Sequence, residues 1–331
     1  MASLDLDSST GQDEPSTATR PAELTWEPSV GPSPLGFGWD AEPLILDWFG
    51  QGRHDLLVSA GGGPKGRRSR VYRRLHRLAD GTLVFDRGWH VDALDGLRCV
   101  CALQNDQDTR FDLVGLSSRG FVFLKNVGAP GEPSFAERTP LKLPEDLGVG
   151  PCRIVQAVAI DWDGDGRDDL LLGVDSLTDY DPDGDRLPRS QQKGFNQKGG
   201  HPGYDQQGLW RGRAPIGRLF WLRNVGGWES PDFQLQEELV GDTQPLDVGM
   251  HPAPLGVAWE HPGGLQLLLT DRRGLIHVHR NFGDQRPPVL MEPRTLLCGG
   301  AQFLLPADRT TLVAADLDDD DHDELVFGTS E

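Results

Sequence analysis

The sequence predicts an all-β protein, a β-propeller of four-stranded blades, and two repeated patterns lead to that prediction. An acidic loop followed at once by a short apolar strand recurs at an interval of roughly 57 residues. Downstream of the loop, an alternating strand closed by an Asn-x-Gly turn recurs as well. A fixed period with one supersecondary unit per repeat indicates an array whose units bury their faces against one another. Four short strands in each period are typical of a propeller blade, whose radial packing leaves only short, protected edges.

The repeat is aligned on the residue that opens each acidic loop. These opening residues are Asp47, Gln104, Asp161, Ala258 and Asp316. The ninth residue of each loop directly precedes the apolar strand. These ninth-position residues are Asp55, Asp112, Asp169, Gln266 and Glu324. The interval between the third and fourth loops is longer than the others by about 40 residues, which predicts an insertion in the third blade.

The predicted strands decide how the ring closes. In the third repeat they are Ile154–Trp162, Asp169–Val174, Arg218–Asn224 and Phe233–Leu239. One strand-like stretch, Leu24–Pro28, precedes the first loop, and two more, Thr311–Asp316 and Glu324–Thr329, follow the fourth repeat. The total is one strand short of five four-stranded blades, so we expect five blades, with the N-terminal strand completing the blade of the C-terminal strands. The rival interpretation is a fragment, or half of a larger ring that a second copy completes.

The third loop has the pattern of a calcium site. It has carboxylates at positions 1, 3, 5 and 9 and a backbone carbonyl at position 7, which are supplied by Asp161, Asp163, Asp165, Asp169 and, for the carbonyl, Arg167. Calcium takes about six to eight oxygen ligands, and this loop supplies most of them. The predicted cation is structural, because a closed ring of carboxylates leaves few positions open for substrate. The alternative is an ordinary acidic hairpin loop without metal.

The other loops keep this pattern to different degrees. The fifth keeps all four carboxylates, and its candidate ligands are Asp316, Asp318, Asp320, His322 and Glu324. The second is a weaker candidate, with Gln104, Asp106, Asp108 and Asp112. The insertion repeats the first half of the pattern at Asp179, Asp181 and Asp183. The first and fourth loops have lost the pattern and are expected to keep the turn without metal.

Three motifs carry a resemblance to a known family. They are the Asp-x-Asp-x-Asp-Gly-x-x-Asp-Leu loop, the Asn-x-Gly turn, and Pro-x-Phe at the start of the last strand, as in Pro133–Phe135 and Pro231–Phe233. Over residues 24–331 the chain resembles the FG-GAP or VCBS repeat family, which includes the integrin α-subunit propeller, propeller lectins and propeller-shaped polysaccharide lyases. The resemblance implies a propeller with calcium loops and leaves the function open, because function lies in sites built onto such folds.

The composition limits the classes of partner. The net charge of −19 argues against nucleic acid, and no apolar run reaches the roughly 18 residues of a membrane span. Residues 1–23 are polar and lack the apolar stretch of a signal peptide, so we expect a disordered tail. The missing signal peptide favours the cytoplasm, whereas calcium loops favour an extracellular setting. Localisation and oligomeric state therefore stay open.

Two smaller groups of residues have simple predictions. All cysteines stand in apolar, strand-like contexts and are predicted to be small core residues; they are Cys99, Cys101, Cys152 and Cys298. The basic residues between Lys65 and Arg74 are predicted to form a solvated hairpin, in preference to an anion site.

The insertion, at about residues 175–215, is the predicted place of function, because long loops inside a compact domain are usually functional or disordered. Its aromatic and amide side chains suit sugar rings, whose CH faces stack while the hydroxyls take hydrogen bonds. The ligand-binding candidates are Phe195, Asn196, Tyr204 and Trp210. A lyase needs a base, an acid and a cation for the uronate carboxylate, and its candidates are His201, Tyr204, Arg211 and Arg213.

Three functions follow, in order of preference. The first is a calcium-stabilised propeller that binds a carbohydrate or a protein and catalyses nothing. The second is a polysaccharide lyase, or another carbohydrate-active enzyme, that uses the insertion. The third is a structural or assembly module.

Overall fold

A computed structural model describes the chain as β-strands joined by short turns. The described residues are 25–26, 33–34, 40–63, 66–79, 82–104, 110–143, 147, 152–176, 216–227, 229–239, 251–259, 264–271, 273–282, 286–298, 301–302, 304–305, 310–317 and 323–329. Within these ranges the one helical element is a 3-10 turn at Asp92–Leu94. No helix in the described part is long and apolar enough to cross a membrane.

The first eight strands form two sheets. They are β1 (Thr25–Trp26), β2 (Ser33–Pro34), β3 (Glu42–Leu46), β4 (Asp55–Gly63), β5 (Gly66–Tyr72), β6 (Arg74–Arg77), β7 (Leu83–Phe85) and β8 (Trp89–His90). The first blade has the antiparallel strand order β3-β4-β5-β8. Beyond it, β6 and β7 continue the hairpin of β5 and β8, and they form a second sheet with the order β2-β1-β7-β6.

Three more four-stranded blades follow, each made of consecutive antiparallel strands. The second blade consists of β9 (Arg98–Leu103), β10 (Asp112–Ser117), β11 (Gly120–Leu124) and β12 (Thr139–Pro140). The third consists of β13 (Cys152–Ile160), β14 (Asp169–Ser176), β15 (Ile216–Asn224) and β16 (Phe233–Glu238). The fourth consists of β17 (Ala253–Val257), β18 (Gln266–Thr270), β19 (Ile276–His279) and β20 (Arg294–Thr295). The chain then forms a short hairpin and a two-stranded sheet, which comprise β21 (Leu297–Cys298), β22 (Ala301–Gln302), β23 (Thr310–Ala315) and β24 (Glu324–Thr329).

Each blade is packed between its two neighbours. Because successive side chains of a strand point to opposite faces, each blade contributes side chains to two hydrophobic cores, one on each face. In the second blade, Val114 and Phe123 pack in a cluster with residues of the third blade, whereas Leu113 and Val122 pack in a cluster with residues of the first. This alternation confirms the prediction of an all-β propeller of four-stranded blades. The four predicted strands of the third repeat are also confirmed, with ends within two residues of those observed.

The first strands of the repeats surround a central channel. β3, β9, β13, β17 and β23 contact one another in that order, and β23 in turn contacts β3. These five strands line a cavity of about 250 Å³ along the axis. Inside it, the Gln156 side chain reaches from β13 to β23, where its Nε2 donates to the Leu312 carbonyl oxygen at 3.3 Å. The five strands thus form a ring, and one amide side chain crosses its interior.

The N-terminal strand does not pair where the sequence analysis expected it. β1 pairs in parallel with β7, Thr25 opposite Val84 and Trp26 opposite Phe85, at the periphery of the first blade. Among the described residues, β24 pairs with β23 alone. The expected pairing of the N-terminal strand with the C-terminal strands is therefore wrong, and a fifth four-stranded blade is not among the described elements. A sequence pattern predicts that a strand exists, but any free sheet edge can accept it, and β7 offers one.

The C-terminal sheet meets the first blade at a tight seam. A Cβ on Gly328 of β24 would collide with the carbonyl oxygen of Ala41, which directly precedes β3. In the same way, a Cβ on Gly173 of β14 would collide with the carbonyl oxygen of Pro252, which directly precedes β17. Thr311 adds a hydrogen bond across the seam, from its Oγ1 to the Ala41 oxygen at 3.3 Å. The contact between the third and fourth blades is thus repeated between the C-terminal sheet and the first blade.

Candidate functional site

The third acidic loop, between β13 and β14, gathers three carboxylates around a tight turn. Asp161 accepts hydrogen bonds from the amides of Gly164 at 2.8 Å and Gly166 at 3.1 Å. Both glycines have positive φ, 77° and 86°, which other residues adopt at a cost. Carboxylate oxygens of Asp161, Asp163 and Asp165 all lie within 4.8 Å of one another. The chemistry of this donor set fits a hard cation such as calcium.

The loop also has a cation of its own. The Arg223 guanidinium, at the end of β15, lies between two of the carboxylates, with Nε 2.6 Å from Asp163 Oδ2 and Nη2 3.0 Å from Asp165 Oδ2. In the first blade, the corresponding Arg73 lies over the Phe49 ring at 4.0 Å, and Phe49 occupies the same loop position as Asp163. A metal ion in the third loop would therefore have to displace or share carboxylates with this guanidinium.

Asp169, the predicted ligand at position 9, is fully buried and has partners for both oxygens. Its Oδ1 accepts from the Asn224 amide at 2.8 Å, and its Oδ2 accepts from Trp221 Nε1 at 2.8 Å. The pKa of Asp169 is raised to about 6, mainly by burial and in part by the neighbouring carboxylates Asp163 and Asp165, while these hydrogen bonds oppose the shift. The carboxylate therefore ties the start of β14 to the end of β15.

The same contact recurs in other blades and joins the two repeated motifs. Asp112 accepts from the Asn126 amide at 2.6 Å, and Asp55 accepts from the Arg74 amide at 3.0 Å. The side chain of Asn126 in turn accepts from the amides of Gly128 and Ser134, which fixes the Asn-x-Gly turn. The acidic loop and the Asn-x-Gly turn are thus parts of one hydrogen-bonded device, which the sequence shows only as two separate patterns.

The first loop keeps its turn without the acidic pattern, as expected, whereas residues 260–263 of the fourth loop lie outside the described residues. In the first loop Asp47 accepts from the amides of Gln51 and Gly52, both at 2.8 Å, as Asp161 does in the third. In the fourth loop the ninth residue is Gln266, which is fully buried and has no hydrogen-bond partner for its amide among the described residues. In the second loop, the structure describes the candidate ligands Gln104 and Asp112. In the fifth loop, it describes Asp316 and Glu324.

Many predicted site residues lie outside the described residues. They are Asp106, Asp108, Asp179, Asp181, Asp183, Phe195, Asn196, His201, Tyr204, Trp210, Arg211, Arg213, Asp318, Asp320 and His322. The predicted insertion began at residue 175, but Asp175 and Ser176 belong to β14 and are buried. The segment between the strands therefore starts at residue 177.

A second cavity of about 110 Å³, which we call the mouth, lies at one end of the central channel and shares Glu42 and Thr311 with it. Each of the five ring strands has a polar lining residue at its start or within two residues of it. These five residues are Glu42, Arg98, Arg153, His251 and Thr310, and Asp40 and Thr311 line the mouth as well. The five include no two residues of the same type apart from the arginines, so the mouth departs from the repeat that governs the rest of the ring.

Residues with unusual backbone dihedral angles lie at or beside the mouth. Every non-glycine residue of the described chain with positive φ lies here: Asp40 at 60°, Cys99 at 50° and His251 at 59°. The pairing register also shifts in β9 and in β13, next to Cys99 and to Ile154. Such strain persists only where the surrounding structure holds it, and bulges re-aim side chains near functional sites. Their concentration points to a site at the mouth.

A buried carboxylate positions two of the mouth residues. Asp175 Oδ2 lies 2.6 Å from Arg153 Nη2 and 3.0 Å from His251 Nδ1, and its Oδ1 accepts from the His251 amide at 2.8 Å. Burial raises the pKa of Asp175, but the hydrogen bonds from His251 and Arg153 outweigh burial and hold the pKa below its usual range. Because Nδ1 of His251 faces Asp175, Nε2 is the ring nitrogen left for the cavity.

The opposite side of the mouth is acidic. Glu42 accepts from the Cys99 amide at 2.6 Å and lies 3.3 Å from Arg67 Nη2, which also pairs with Asp40 at 2.6 Å. Burial raises the pKa of Glu42, although Arg67 opposes the shift. The predicted solvated hairpin is therefore wrong for Arg67, which turns inward because two carboxylates at the start of β3 need a counter-charge.

The insertion departs from the same end of the propeller. Cys152 pairs with Ser176, and Ser176 pairs with Ile216, so the start of β13, the end of β14 and the start of β15 lie together. The third acidic loop joins the other ends of β13 and β14. The mouth and the two anchors of the insertion thus share one end of the third blade, and the acidic loop occupies the other.

Sequence reasoning missed the mouth because its residues are far apart in the chain and form no motif. The available signal was a polar residue at the start of each otherwise apolar first strand. The cysteine prediction holds for Cys99 and Cys101, which are buried, but it is wrong for Cys152, which is exposed at the first position of β13. The side chain of Cys298 lies outside the described ones.

A further group that could hold a metal ion is His90, Asp92 and Asp95, beside the 3-10 turn. His90 Nε2 lies 2.9 Å from Asp92 Oδ1 and 3.1 Å from Asp95 Oδ1. The Asp92 side chain is 94% exposed, so this group is explained by a surface ion pair.

Comparisons with known proteins relate the chain to two solved structures. No model of a known protein family matches the sequence, and no curated protein matches it significantly. The chain is similar to a GH43_1 enzyme from Xanthomonas citri, with 14% identity and a TM-score of 0.44 over 84% of this chain and 78% of that chain. It is also similar to a lectin from Agrocybe aegerita that recognises non-reducing terminal N-acetylglucosamine, with 16% identity and a TM-score of 0.36 over 88% of this chain and 75% of that chain. Similarities this distant carry no argument about function.

Proposed function

We propose that the protein is a carbohydrate-binding propeller without catalysis, and that the ligand binds at the mouth. The observation that carries the proposal is the set of five polar side chains around one cavity. Guanidinium groups donate hydrogen bonds, carboxylates accept them, and a threonine hydroxyl does both. A ligand covered with hydroxyl groups can form further hydrogen bonds with these groups, because each hydroxyl is both a donor and an acceptor.

Glutamate 42 offers the cleanest test of this proposal. Replacing Glu42 by glutamine keeps the volume and the acceptor for the Cys99 amide but removes a charged acceptor from the mouth. We expect the affinity for a bound glycan to fall by about tenfold, since a charge-assisted hydrogen bond becomes a neutral one. Binding would be screened on an array of neutral and acidic glycans and then measured by calorimetry.

The matched control is Glu237→Gln, which makes the same chemical change on the exposed side of β16. This variant should bind like the unmodified protein. Failure of every glycan on the array to bind would contradict the proposal. Equal affinities of Glu42→Gln and the unmodified protein would move the ligand away from the mouth.

A polysaccharide lyase is the second candidate, and His251 is the observation that favours it. Asp175 holds one ring nitrogen of His251 and leaves the other to the cavity, which is how a general base is oriented. Arg98 and Arg153 line the same cavity and suit the carboxylate of a uronate. Incubation with uronate polysaccharides, read by ultraviolet absorbance of unsaturated products, separates the two functions. An increase with any substrate would replace the binding proposal with the enzyme.

We also propose that calcium binds the third acidic loop, in keeping with the FG-GAP or VCBS resemblance. The support is the cluster of Asp161, Asp163 and Asp165. Added calcium should raise the melting temperature, and Asp161→Asn should abolish the increase. Arg223→Gln should tighten calcium binding by about tenfold, because a competing positive charge beside the carboxylates is removed. Calorimetric titration with calcium after chelation checks this. If neither the unmodified protein nor Arg223→Gln binds calcium, the loop is an ordinary acidic turn closed by arginine.

For the ring, we propose five units, the fifth built around β23 and β24. The cyclic contacts of the first strands support it, and so does the seam at Gly328, which repeats the seam between the third and fourth blades. In this arrangement the first blade and the C-terminal sheet close the ring by packing alone.

A further inference from the structure

Resting on the proposed carbohydrate function, we infer that the ligand of the mouth is a sugar acid. Its carboxylate binds at the side of Arg98 and Arg153, and its ring hydroxyls face Glu42 and Thr310. The proposal thus names one class of ligand for the mouth and excludes neutral sugars from it.

The first observation is the distribution of charge around the cavity. β9 and β13 are neighbours in the ring and contribute Arg98 and Arg153, and His251 stands next to Arg153. Asp40 and Glu42 line the mouth just before and at the start of β3, which neighbours β9. The mouth therefore has two guanidinium groups on adjacent strands and carboxylates beside them. A sugar acid matches both kinds of group, because its carboxylate accepts hydrogen bonds and its hydroxyls can donate them.

The second observation is that Arg98 forms no direct ion pair among the described residues. Arg67 and Arg153 each form an ion pair near the mouth, but Arg98 has no carboxylate within ion-pair distance among the described residues. Its Nη2 donates instead to the Ile154 carbonyl oxygen. Its charge interacts with that of Glu42 without direct ion-pair contact, so this half-buried guanidinium can still form an ion pair with an anionic ligand.

The third observation concerns pre-organisation. Asp175 fixes Arg153 from behind and is itself fully buried, so it does not line the cavity. Cys99 and His251 have positive φ, and Arg98 and the His251 imidazole line the mouth at these two positions. A guanidinium held in place loses little entropy when it binds a carboxylate, which favours an ionic contact here over one on the open surface.

The size of the mouth limits how much of the ligand enters. Drug-sized ligands occupy pockets of at least about 300 Å³, and the mouth measures about 110 Å³. One sugar residue can insert its carboxylate, and the remainder of a chain would extend outward over the end from which the insertion departs.

The test compares two probes that differ in charge and in the small methyl groups of the ester, trigalacturonate and its methyl-esterified form. Calorimetry on the full chain should show the acid binding at least about tenfold more tightly than the ester. Arg98→Gln should remove this preference, and Arg98→Lys should keep part of it because the charge remains. Arg70→Gln, which removes an exposed arginine on β5, is the matched control and should keep the full preference. Melting curves of all variants show that each is folded.

The outcomes separate this inference from the proposed function. Equal binding of acid and ester, or a preference unchanged in Arg98→Gln, would overturn the sugar-acid inference and leave carbohydrate binding in place. If neutral glycans on the array bind and neither probe does, the sugar-acid inference is likewise overturned and carbohydrate binding stands. If the array and both probes are all negative, the inference and the proposed function fall together.

Discussion

Replacing Asp169 by alanine is expected to lower the free energy of unfolding by about 3 kcal/mol, more than any other change in the acidic loops. The carboxylate is fully buried and accepts from the Asn224 amide and from Trp221 Nε1. Its removal leaves two buried donors without partners, and each such donor costs about 1–3 kcal/mol. Urea unfolding, followed by fluorescence in the presence of a chelator, measures the loss without a contribution from metal.

Asp161→Ala is the control for this prediction. Asp161 accepts from two exposed loop amides, which water can satisfy once the side chain is gone. In chelator its effect should therefore be well below that of Asp169→Ala. If the two variants unfold at the same urea concentration, Asp169 has no structural role beyond that of its loop.

Replacing Gly328 by alanine is expected to destabilise the protein by about 2 kcal/mol or more, because the new Cβ has no room. It would collide with the carbonyl oxygen of Ala41, and a backbone atom cannot rotate away as a side chain can. The seam between the C-terminal sheet and the first blade would have to open. Thermal and urea unfolding of the variant measure the cost.

Gly227→Ala provides the matched control. A Cβ at Gly227 meets nothing within 4 Å, so this change should alter the unfolding free energy by less than about 0.5 kcal/mol. Tolerance of Gly328→Ala to the same degree would mean that the seam is not formed in solution. The proposed five-unit ring would then be wrong.

The architecture could be predicted because the same short sequence patterns, which form the same turns and strands, occur several times in the chain. The turn at Asp161, the apolar strand after Asp169 and the Asn-x-Gly turn at Asn224 each follow from short-range rules, and each is found at the predicted place. The partner of the N-terminal strand was predicted wrongly. Pairing depends on which sheet edge is free in three dimensions, and the residues of β1 do not encode that choice.

Residue types alone also left the role of Asp169 unresolved. An aspartate at the end of an acidic loop looks the same in sequence whether it faces a cation or a backbone amide. The distinguishing fact is the position of the Asn224 amide, 55 residues later in the chain. Likewise the mouth joins Glu42 to Arg98 and Arg153, which come together only after the ring has formed.

The crossing of the channel by Gln156 has a consequence for how any polymer could approach this protein. Its amide connects β13 to β23, two strands that are not neighbours in the ring. The side chain therefore crosses the channel and obstructs it like a bar. A chain molecule cannot thread from one face to the other past that bar. For the proposed carbohydrate function, this means that a polymer binds at the mouth by its end and does not pass through the channel.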